Sequence, residues 1–399
     1  IDGFEVCKRI KSDPEIAHVP VVMVTALSSK SDRLRGLEAG ADDFITKPFN
    51  DIVFFARTKS LIRVKMLIDE LRLRERTAAE LEGRAMQHML PSQGIAGAKV
   101  LIVDEDAVVA GHMEEKLKEL YTVEVATEYD KAIASATEGE FDAIIVNTEM
   151  TSMEGLRLAS QIKAHKRTRH VPLIIMVAES RTQTMLKALE LGINDYLLLP
   201  VEYNEMMARV RTQIRRKRYQ DALRASYDKT RKTQYADELT GLYTRHFMNK
   251  HLEHMLVESQ RRNKPMTMML IDIDHFKSVN NTYGHEVGNQ VLEGISGAIL
   301  RSIRTADMAA RFGGEEFAVL LPETDLLSAS VVCERIRSLT EMTGFEVDHD
   351  IARINGTVSI GAAQLRKGEA PIDLIKRADE ALFRAKQNGR NQVQLAGDH

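Results

Sequence analysis

The chain repeats part of its own sequence. Asp2–Pro48 aligns without a gap onto Glu154–Pro200, at a constant offset of 152 positions. Each copy reads as a helix, a short apolar strand, a second helix, a second short strand and a proline turn that leads into a further helix. Strands that alternate with helices are typical of βαβ units and a parallel sheet. The repeat therefore predicts two α/β domains, each with a parallel sheet.

Only the second copy carries the front half of such a domain. Its repeated part is preceded by three strand-like apolar segments, which are Lys99–Val103, Tyr121–Ala126 and Phe141–Val146. The first copy has no counterpart, and Ile1 opens the chain in mid-pattern without an initiator methionine. We expect the first copy to be the C-terminal part of a domain whose front half precedes Ile1.

The composition of the chain excludes several classes of protein. The 399 residues carry a formal charge of -3 and two cysteines, Cys7 and Cys333, which fits a reducing cytoplasm and excludes a disulfide framework. No apolar run approaches the ~18 residues of a membrane span, so we expect no membrane insertion. The basic tract Arg215–Arg218 is short and lacks interleaved aromatic residues, so we interpret it as a solvated helix face and expect no nucleic-acid partner.

The pattern divides the chain into five segments. An apolar helical periodicity connects the two copies, a charged helix follows the second copy, and a different α+β pattern begins at Asp237. We predict a partial α/β domain at 1–58, a helical connector at 59–96, a complete α/β domain at 97–214, a helical linker at 215–236 and an α+β domain at 237–399.

The two copies resemble response-regulator receiver domains. The resemblance rests on the acidic cluster Asp104–Asp106 in the second copy and on Thr25 and Lys47 in the first. In that family, acids after the first strand hold Mg²⁺, an aspartate after the third strand accepts phosphate, and a Thr or Ser and a Lys contact the phosphoryl group. The resemblance implies flavodoxin-type, doubly wound parallel sheets, a switch role for Thr25 and Lys47, and an upstream histidine kinase. It also implies that the phosphoacceptor lies in the segment before Ile1.

The second copy departs from the receiver pattern at the positions that matter for phosphorylation. Asn147 stands where the acceptor aspartate belongs, Val177 replaces the Thr or Ser, and Leu199 replaces the Lys. An amide is not a nucleophile for phosphoryl transfer, and leucine cannot neutralise a phosphate. We interpret the second copy as a pseudo-receiver that serves as a packing or dimerisation adaptor.

The last third of the chain carries a group of acids at turns. Met266–Ile271 reads as a buried strand that delivers Asp272, and two apolar strands flank Gly313–Glu316, which predicts a hairpin with adjacent glutamates at its tip. Two carboxylates at a tight tip repel each other unless a cation lies between them. The pattern predicts a hard-oxygen site for Mg²⁺ or Mn²⁺ that carries nucleotide phosphates.

These motifs closely resemble the GGDEF family of diguanylate cyclases, in its Gly-Gly-Glu-Glu-Phe form, over about Asp237–Leu395. The resemblance implies a ferredoxin-like, cyclase-palm α+β domain that condenses two GTP into cyclic di-GMP and releases two pyrophosphates. Because each domain holds one GTP, two domains must face each other, and a homodimer is the simplest assembly. The order of domains, two receiver-like copies followed by this domain, resembles that of response-regulator cyclases. In those enzymes, phosphorylation of the first receiver tightens the dimer.

The resemblance also assigns roles within the site. Two metal ions would be held by Asp272, the backbone carbonyl of Ile273 and Glu315, with Glu316 as a further ligand. Either Glu315 or Glu316 would accept the proton of the ribose 3′-hydroxyl. The remaining substrate contacts would come from Lys277 on the phosphates in the transition state, Asn280 on guanine, the tip glycines Gly313 and Gly314, and Lys386 and Arg390 on the triphosphate, one helical turn apart.

Two further features concern the base and the product. Asn289 stands where the family usually has a second base-reading aspartate, and an amide offers one acceptor oxygen where a carboxylate offers two. We therefore expect weaker guanine binding or relaxed purine choice. Arg304 and Asp307 match the family's inhibitory product-binding motif and Arg335 a second inhibitory arginine, which implies feedback inhibition by cyclic di-GMP.

Two other functions compete with an active cyclase. One is a catalytically idle module that senses cyclic di-GMP or GTP, but idle members lose the hairpin carboxylates that Glu315 and Glu316 retain here. The other is a phosphorelay scaffold without nucleotide chemistry, which Asn147 suits but which leaves the last domain unexplained. The sequence favours the enzyme.

Overall fold

The computed structural model describes residues 2–25, 30–49, 51–83, 95–151, 154–178, 180–230, 235–343, 354 and 356–397. The chain divides into two compact units. The first unit comprises Ile1–Ile68 and Gln87–Arg224, and the second comprises Asp69–Met86 and Ala225–His399.

The first copy forms a two-stranded parallel sheet flanked by helices. Its elements are α1 (Gly3–Ser12), β1 (Val22–Thr25), α2 (Lys30–Glu38), β2 (Asp43–Thr46) and α3 (Asp51–Leu81). Strands β1 and β2 pair so that Thr25 lies opposite Thr46. Helix α3 covers most of the connector predicted at 59–96, of which 84–94 lie outside the described residues.

The second copy forms a complete five-stranded parallel sheet. Its elements are β3 (Lys99–Val103), α4 (Ala107–Lys118), β4 (Thr122–Ala126), α5 (Tyr129–Glu138), β5 (Ala143–Asn147), α6 (Gly155–Ala164), β6 (Leu173–Ala178), α7 (Thr182–Glu190), β7 (Asp195–Leu199) and α8 (Tyr203–Thr230). The strand order is β4-β3-β5-β6-β7. The inner strands are buried on both faces because helices cover both sides, which explains their continuous apolar sequences.

The two copies pack together through equivalent residues of the repeat. Arg57 pairs with Asp43, and Arg209, offset by 152, pairs with Asp195 at 2.8 Å. Arg209 also reaches Asp43 at 3.4 Å, and the Arg57 guanidinium lies 3.8 Å from the centre of the Tyr196 ring. All four charged residues are buried. Within the first unit, the two copies therefore contact each other through equivalent positions of the repeat.

The second unit is built on one mixed six-stranded sheet. Its strands follow the order β13-β12-β9-β11-β10-β8. Its elements are β8 (Tyr243–Thr244), α9 (Arg245–Arg262), β9 (Met266–Ile273), α10 (Phe276–Tyr283), α11 (His285–Ser302), β10 (Met308–Arg311), β11 (Glu316–Pro322), α12 (Leu326–Thr343), β12 (Val358–Gln364), α13 (Pro371–Gln387) and β13 (Val393–Leu395).

Together the two units confirm the predicted fold class, in which parallel α/β domains of receiver type precede an α+β domain of cyclase type. The central strand β9 is buried along its whole length, between β11 and β12. Gly361 on β12 lets α13 approach closely, because a Cβ atom there would lie 2.1 Å from the backbone nitrogen of Leu382. That approach brings the end of α13 beside the end of β9.

Among the described residues, no helix is both long enough and apolar enough to cross a bilayer.

Candidate active site

The acidic group forms where β9 ends beside the β10–β11 hairpin. Strands β10 and β11 pair antiparallel, which confirms the predicted hairpin. Strand β11 also pairs with β9, and in that register Glu316 lies directly opposite Asp272. The backbone nitrogen of Ile273 donates to the carbonyl oxygen of Glu315 at 3.4 Å. Strand pairing therefore fixes the backbones that carry Asp272, Glu315 and Glu316 side by side.

The hairpin tip is held by contacts that sequence reasoning missed. The backbone nitrogens of Phe312 and Gly313 donate to the Glu316 carbonyl at 2.7 and 3.1 Å. The Arg311 guanidinium donates to the Gly314 carbonyl at 2.8 Å and to both carboxylate oxygens of Asp237 at 3.1 and 3.2 Å. An ion pair that links residues 74 positions apart leaves no local pattern in a sequence.

Burial and mutual repulsion oppose the ionisation of the acids at this site. Burial raises the pKa of Glu315, and the negative charges of Asp272 and Glu316 add to the rise. Burial also raises the pKa of Asp272, although a hydrogen bond from Lys386 opposes the rise. The Lys386 ammonium lies 2.7 Å from a carboxylate oxygen of Asp272. The acids thus resist ionisation, and a positive charge beside them stabilises their ionised forms.

The oxygen atoms at this site are of the kinds that bind divalent cations. Carboxylate and carbonyl oxygens are the ligands that Mg²⁺ and Mn²⁺ prefer, and Asp272, Ile273 and Glu315 supply both kinds on adjacent backbones. The Lys386 ammonium shows that Asp272 accepts a cationic neighbour. Within the described residues, no three His, Cys, Asp or Glu side chains are already arranged to hold a metal.

The predicted guanine contacts lie on α10 and α11. The amide oxygen of Asn280 is buried and has no hydrogen-bond partner in the described structure, so it is available to a base donor. Gly288 leaves room for it, because a Cβ atom there would lie 1.9 Å from that oxygen. Asn289 follows on α11 and is exposed, as is Lys277 on α10.

One predicted arrangement is wrong. Lys386 lies in the last turn of α13, but this helix ends at Gln387 and does not continue to Arg390. Gly389 and Arg390 both adopt positive φ angles, 108° and 64°, which turn the chain away from the helix axis. Arg390 is therefore presented by a loop, not one helical turn beyond Lys386.

The predicted product-binding residues lie at the turn before β10. A carboxylate oxygen of Asp307 accepts a hydrogen bond from the backbone nitrogen of Arg304 at 2.6 Å. Burial raises the pKa of Asp307 to about 6, against the opposing effect of that hydrogen bond. Arg335 on α12 donates to the carbonyl of Ser302, two residues before Arg304. The side chains of Arg304 and Arg335 are exposed.

The last turns of α3 contact the same turn, and sequence reasoning missed this too. Arg74 donates to the carbonyl oxygen of Asp307 at 2.9 Å and to Glu70 at 2.7 Å. His251 on α9 lies 3.0 Å from the same Glu70 oxygen. Burial would raise the pKa of Glu70, but the charge of Arg74 and the hydrogen bonds of Arg74 and His251 bring it down to about 2. Burial lowers the pKa of His251, so at pH 7 its ring is neutral and acts on Glu70 through the hydrogen bond alone.

Comparison with known proteins agrees with these two architectures. A family model described as "Diguanylate cyclase, GGDEF domain" matches residues 234–392, and one described as "Response regulator receiver domain" matches 1–59 and 100–211. The response regulator PleD of Caulobacter vibrioides is 40% identical over 397 residues, which cover 98% of this chain and 86% of that protein. The chain belongs to the PleD family of response-regulator diguanylate cyclases.

Other matches concern the cyclase domain alone. Diguanylate cyclase A of Treponema denticola is 40% identical over 164 residues, 40% of this chain and 44% of that protein. The solved GGDEF domain of DgcB from Caulobacter crescentus, in complex with c-di-GMP, is 32% identical with a TM-score of 0.40, and the match covers 41% of this chain and 93% of that one. The two family models and the match to PleD over 98% of the chain make this PleD-family chain a diguanylate cyclase with receiver-type domains before its catalytic domain.

In this PleD-family chain the receiver positions lie where parallel strands end. Thr25 ends β1 and Lys47 follows β2, and the backbone nitrogen of Lys47 donates to the carbonyl of Thr25 at 2.7 Å. In the second copy, Asn147 ends β5, and its amide donates to the Asp104 carboxylate at 3.0 Å. Val177 lies within β6 and Leu199 ends β7. The amide of Asn147 is therefore hydrogen-bonded directly to the first acid of the Asp104–Asp106 cluster.

Proposed function

We propose that this diguanylate cyclase works as a homodimer in which two catalytic domains, each holding one GTP, join their substrates by metal-assisted phosphoryl transfer. The observation that carries the proposal is the β9–β11 register, which sets Asp272 opposite Glu316 and beside Glu315. Each GTP must present a ribose 3′-hydroxyl to the α-phosphate of the other, so one domain alone cannot complete the ring. Positioning and charge stabilisation supply most of the catalysis.

The residues of one domain divide the work. Asp272, the Ile273 carbonyl, Glu315 and Glu316 would hold two Mg²⁺ or Mn²⁺ ions, which supply charge neutralisation and orientation of the phosphates when bound. Glu315 or Glu316 accepts the proton of the 3′-hydroxyl. The exposed Lys277 would contact the phosphates, and Lys386 and Arg390 would hold the triphosphate. Substrate phosphates would draw Lys386 away from Asp272.

The test of this proposal measures product, stoichiometry and concentration dependence. The purified chain is incubated with GTP and Mg²⁺, and the products are identified by mass. We expect cyclic di-GMP with two pyrophosphates per product, and a specific activity that rises with protein concentration because the active species is a dimer. Chelation of the metal should abolish turnover. A specific activity independent of concentration, in a chain that sediments as a monomer, would refute the dimeric mechanism.

The Asn289→Asp variant should bind GTP about tenfold more tightly and discriminate better against ATP. A carboxylate at this position accepts from both the N1–H and the amino group of guanine, and a good bidentate pair contributes ~1–3 kcal/mol. Competition of ATP against labelled GTP measures both effects. Asn281→Asp, on the exposed end of α10, adds the same charge as a control. Unchanged affinity and unchanged discrimination would show that Asn289 does not read the base.

We propose that the turn before β10 binds the product and mediates feedback inhibition. A guanidinium donates in parallel to guanine O6 and N7, while a carboxylate accepts from the N–H groups of the base. Arg304 and Asp307 lie at one turn, and Arg335 is anchored to the carbonyl of Ser302 nearby. Cyclic di-GMP bound at this turn would hold the catalytic domains apart and stop the condensation.

Arg304→Ala should raise the concentration of cyclic di-GMP that half-inhibits the enzyme at least tenfold, because a charge-assisted pair is lost. Inhibition of the parent should also weaken as the pH falls from 7 to 5, since Asp307, with its pKa of about 6, must be ionised to accept from the base. Initial rates at fixed GTP measure both. Arg301→Ala, an exposed arginine at the end of α11, is the control. Undiminished sensitivity of Arg304→Ala would disprove the assignment.

The input to this enzyme would come through the first copy. A histidine kinase would phosphorylate the receiver to which the first copy belongs, and Thr25 and Lys47 would contact the phosphoryl group. Phosphorylation would then raise the effective concentration of one catalytic domain for the other, with the pseudo-receiver as adaptor. Because GTP and histidine kinase phosphotransfer are cytoplasmic, the proposal places the catalytic domain in the cytoplasm.

A further inference from the structure

We propose that Asp274 is a positioning residue that holds the loop presenting Arg390 to the triphosphate. The inference rests on the triphosphate role proposed above for Arg390. Asp274 follows β9, two residues after Asp272, and none of the roles considered so far uses it. Its carboxylate accepts three hydrogen bonds, two from the start of β12 and one from the loop that carries Arg390.

The Asp274 carboxylate is buried and fully engaged. Its residue is 6% exposed, and the hydroxyl groups of Thr357 and Ser359 each donate to it at 2.7 Å. The backbone nitrogen of Asp274 donates in turn to the Thr357 carbonyl at 2.9 Å. A buried carboxylate is tolerated only when its oxygens have such partners. Asp274 is therefore locked to the start of β12.

The third hydrogen bond comes from the loop after α13. The backbone nitrogen of Asn391 donates to the Asp274 carboxylate at 3.0 Å. Arg390 and Asn391 both adopt left-handed backbone conformations, with φ angles of 64° and 45°. Two consecutive non-glycine residues in this region are unfavourable, and they persist where the surrounding structure holds them. The Asp274 carboxylate provides that hold from the side of the sheet.

Helix α12 holds the same loop from its other side. Arg337 donates to the side-chain oxygen of Asn391 at 2.7 Å, and the Asn391 amide donates to Glu341 at 2.8 Å. Both the backbone and the side chain of Asn391 are thus fixed. Arg390 precedes it, and the Arg390 side chain is exposed. The result is a rigid base under an exposed guanidinium, which is the arrangement that favours binding of a phosphate at low entropic cost.

Removal of the carboxylate should therefore weaken the phosphate-dependent part of binding. Asp274→Ala leaves the Asn391 nitrogen without its acceptor, and the left-handed pair can relax. We expect the affinity for GTP to fall about tenfold, as for loss of a charge-assisted hydrogen bond, and the affinity for guanosine to stay unchanged. Calorimetry of the full chain with each ligand measures the two values. A purely structural role would lower both together.

Two further variants keep the test decisive if Asp274→Ala folds poorly. Asp274→Asn has the same shape, and its amide oxygen can still accept from Asn391, so we expect a smaller loss for GTP, about threefold, without loss for guanosine. Ser359→Ala removes one donor to the same carboxylate but leaves the Asn391 contact in place. It should lower the urea midpoint without altering either affinity. Because Asp274→Asn retains the acceptor for Asn391, losses of equal size for GTP and guanosine in this variant would show a purely structural role and overturn the inference.

A double-mutant cycle separates this inference from the proposal on which it rests. If Asp274 acts through Arg390, Asp274→Ala should cost no further GTP affinity in an Arg390→Ala background. Arg390→Ala with unchanged GTP affinity would refute the triphosphate role itself. Weakened binding in Arg390→Ala together with additive losses in the double variant would leave that role intact and refute the positioning role of Asp274.

Discussion

The Glu315→Gln and Glu316→Gln enzymes are expected to form cyclic di-GMP about 10²–10⁴-fold more slowly than the parent, the range for loss of a general base. Glutamine keeps the shape of the side chain but can neither accept the proton of the 3′-hydroxyl nor neutralise a cation. Glu316 lies opposite Asp272 at the start of β11, and Glu315 precedes it with its carbonyl bonded to the Ile273 nitrogen. Single-turnover rates at saturating GTP, with products identified by mass, measure the loss.

The same two variants decide which glutamate is the base. Added Mg²⁺ should partly restore the rate of a variant that lost a metal ligand, whereas a variant that lost the base should not respond. Activity of the parent should fall as the pH falls through the pKa of Glu315, which burial and then the charge of Asp272 raise above its ordinary value. Glu380→Gln, an exposed acid on α13 that lines the same cavity as Glu316, is the matched control. Near-parent rates in both hairpin variants would remove the basis of the mechanism.

The parts of the fold that follow from local periodicity could be predicted. Apolar strands alternating with helices indicated the parallel sheets, and the glycine pair between two apolar strands indicated the β10–β11 hairpin. The end of α13 could not be predicted in the same way. The motif spacing was consistent with a continuous helix, but Gly389 and the left-handed Arg390 end it first. Propensity is weak at such positions because tertiary hydrogen bonds, here from Asn391 to Asp274, decide the backbone.

Contacts between charged residues far apart in the chain could not be predicted from the sequence either. Asp237 and Arg311 are each ordinary surface residues by type, and only strand pairing brings them together at the hairpin tip. Likewise, Glu70 and Arg74 lie four residues apart on α3, which is the spacing of ordinary ion pairs on a helix surface. The structure buries both against His251, which lies 181 positions from Glu70. A charge pattern along one helix does not reveal what another element will place over it.

That buried pair leads to the second large effect, an expected loss of about 3 kcal/mol in the stability of the second unit in Glu70→Gln at pH 7. The pKa of Glu70 falls from 4.5 to about 2 on folding, which corresponds to about 3 kcal/mol at ~1.4 kcal/mol per pKa unit. A lowered folded-state pKa stabilises the fold above pH 4.5, and the contribution is lost as the pH falls from there towards 2. The gap between parent and variant in urea unfolding should therefore close over that range. Glu80→Gln, which removes a half-exposed partner of Lys250, should show little change at any pH.

The Glu70→Gln substitution should also weaken product inhibition, because Glu70 holds the Arg74 guanidinium that contacts the Asp307 carbonyl. In Glu70→Gln the neutral amide holds Arg74 less firmly, so the turn that carries Arg304 and Asp307 becomes more mobile and should bind cyclic di-GMP more weakly. Half-inhibition measured below the unfolding transition tests this. A variant that is destabilised as expected but inhibited like the parent would show that α3 stabilises the catalytic domain without setting the product site. Equal destabilisation by Glu80→Gln would instead show that the exposed pair, and not the buried one, anchors the helix.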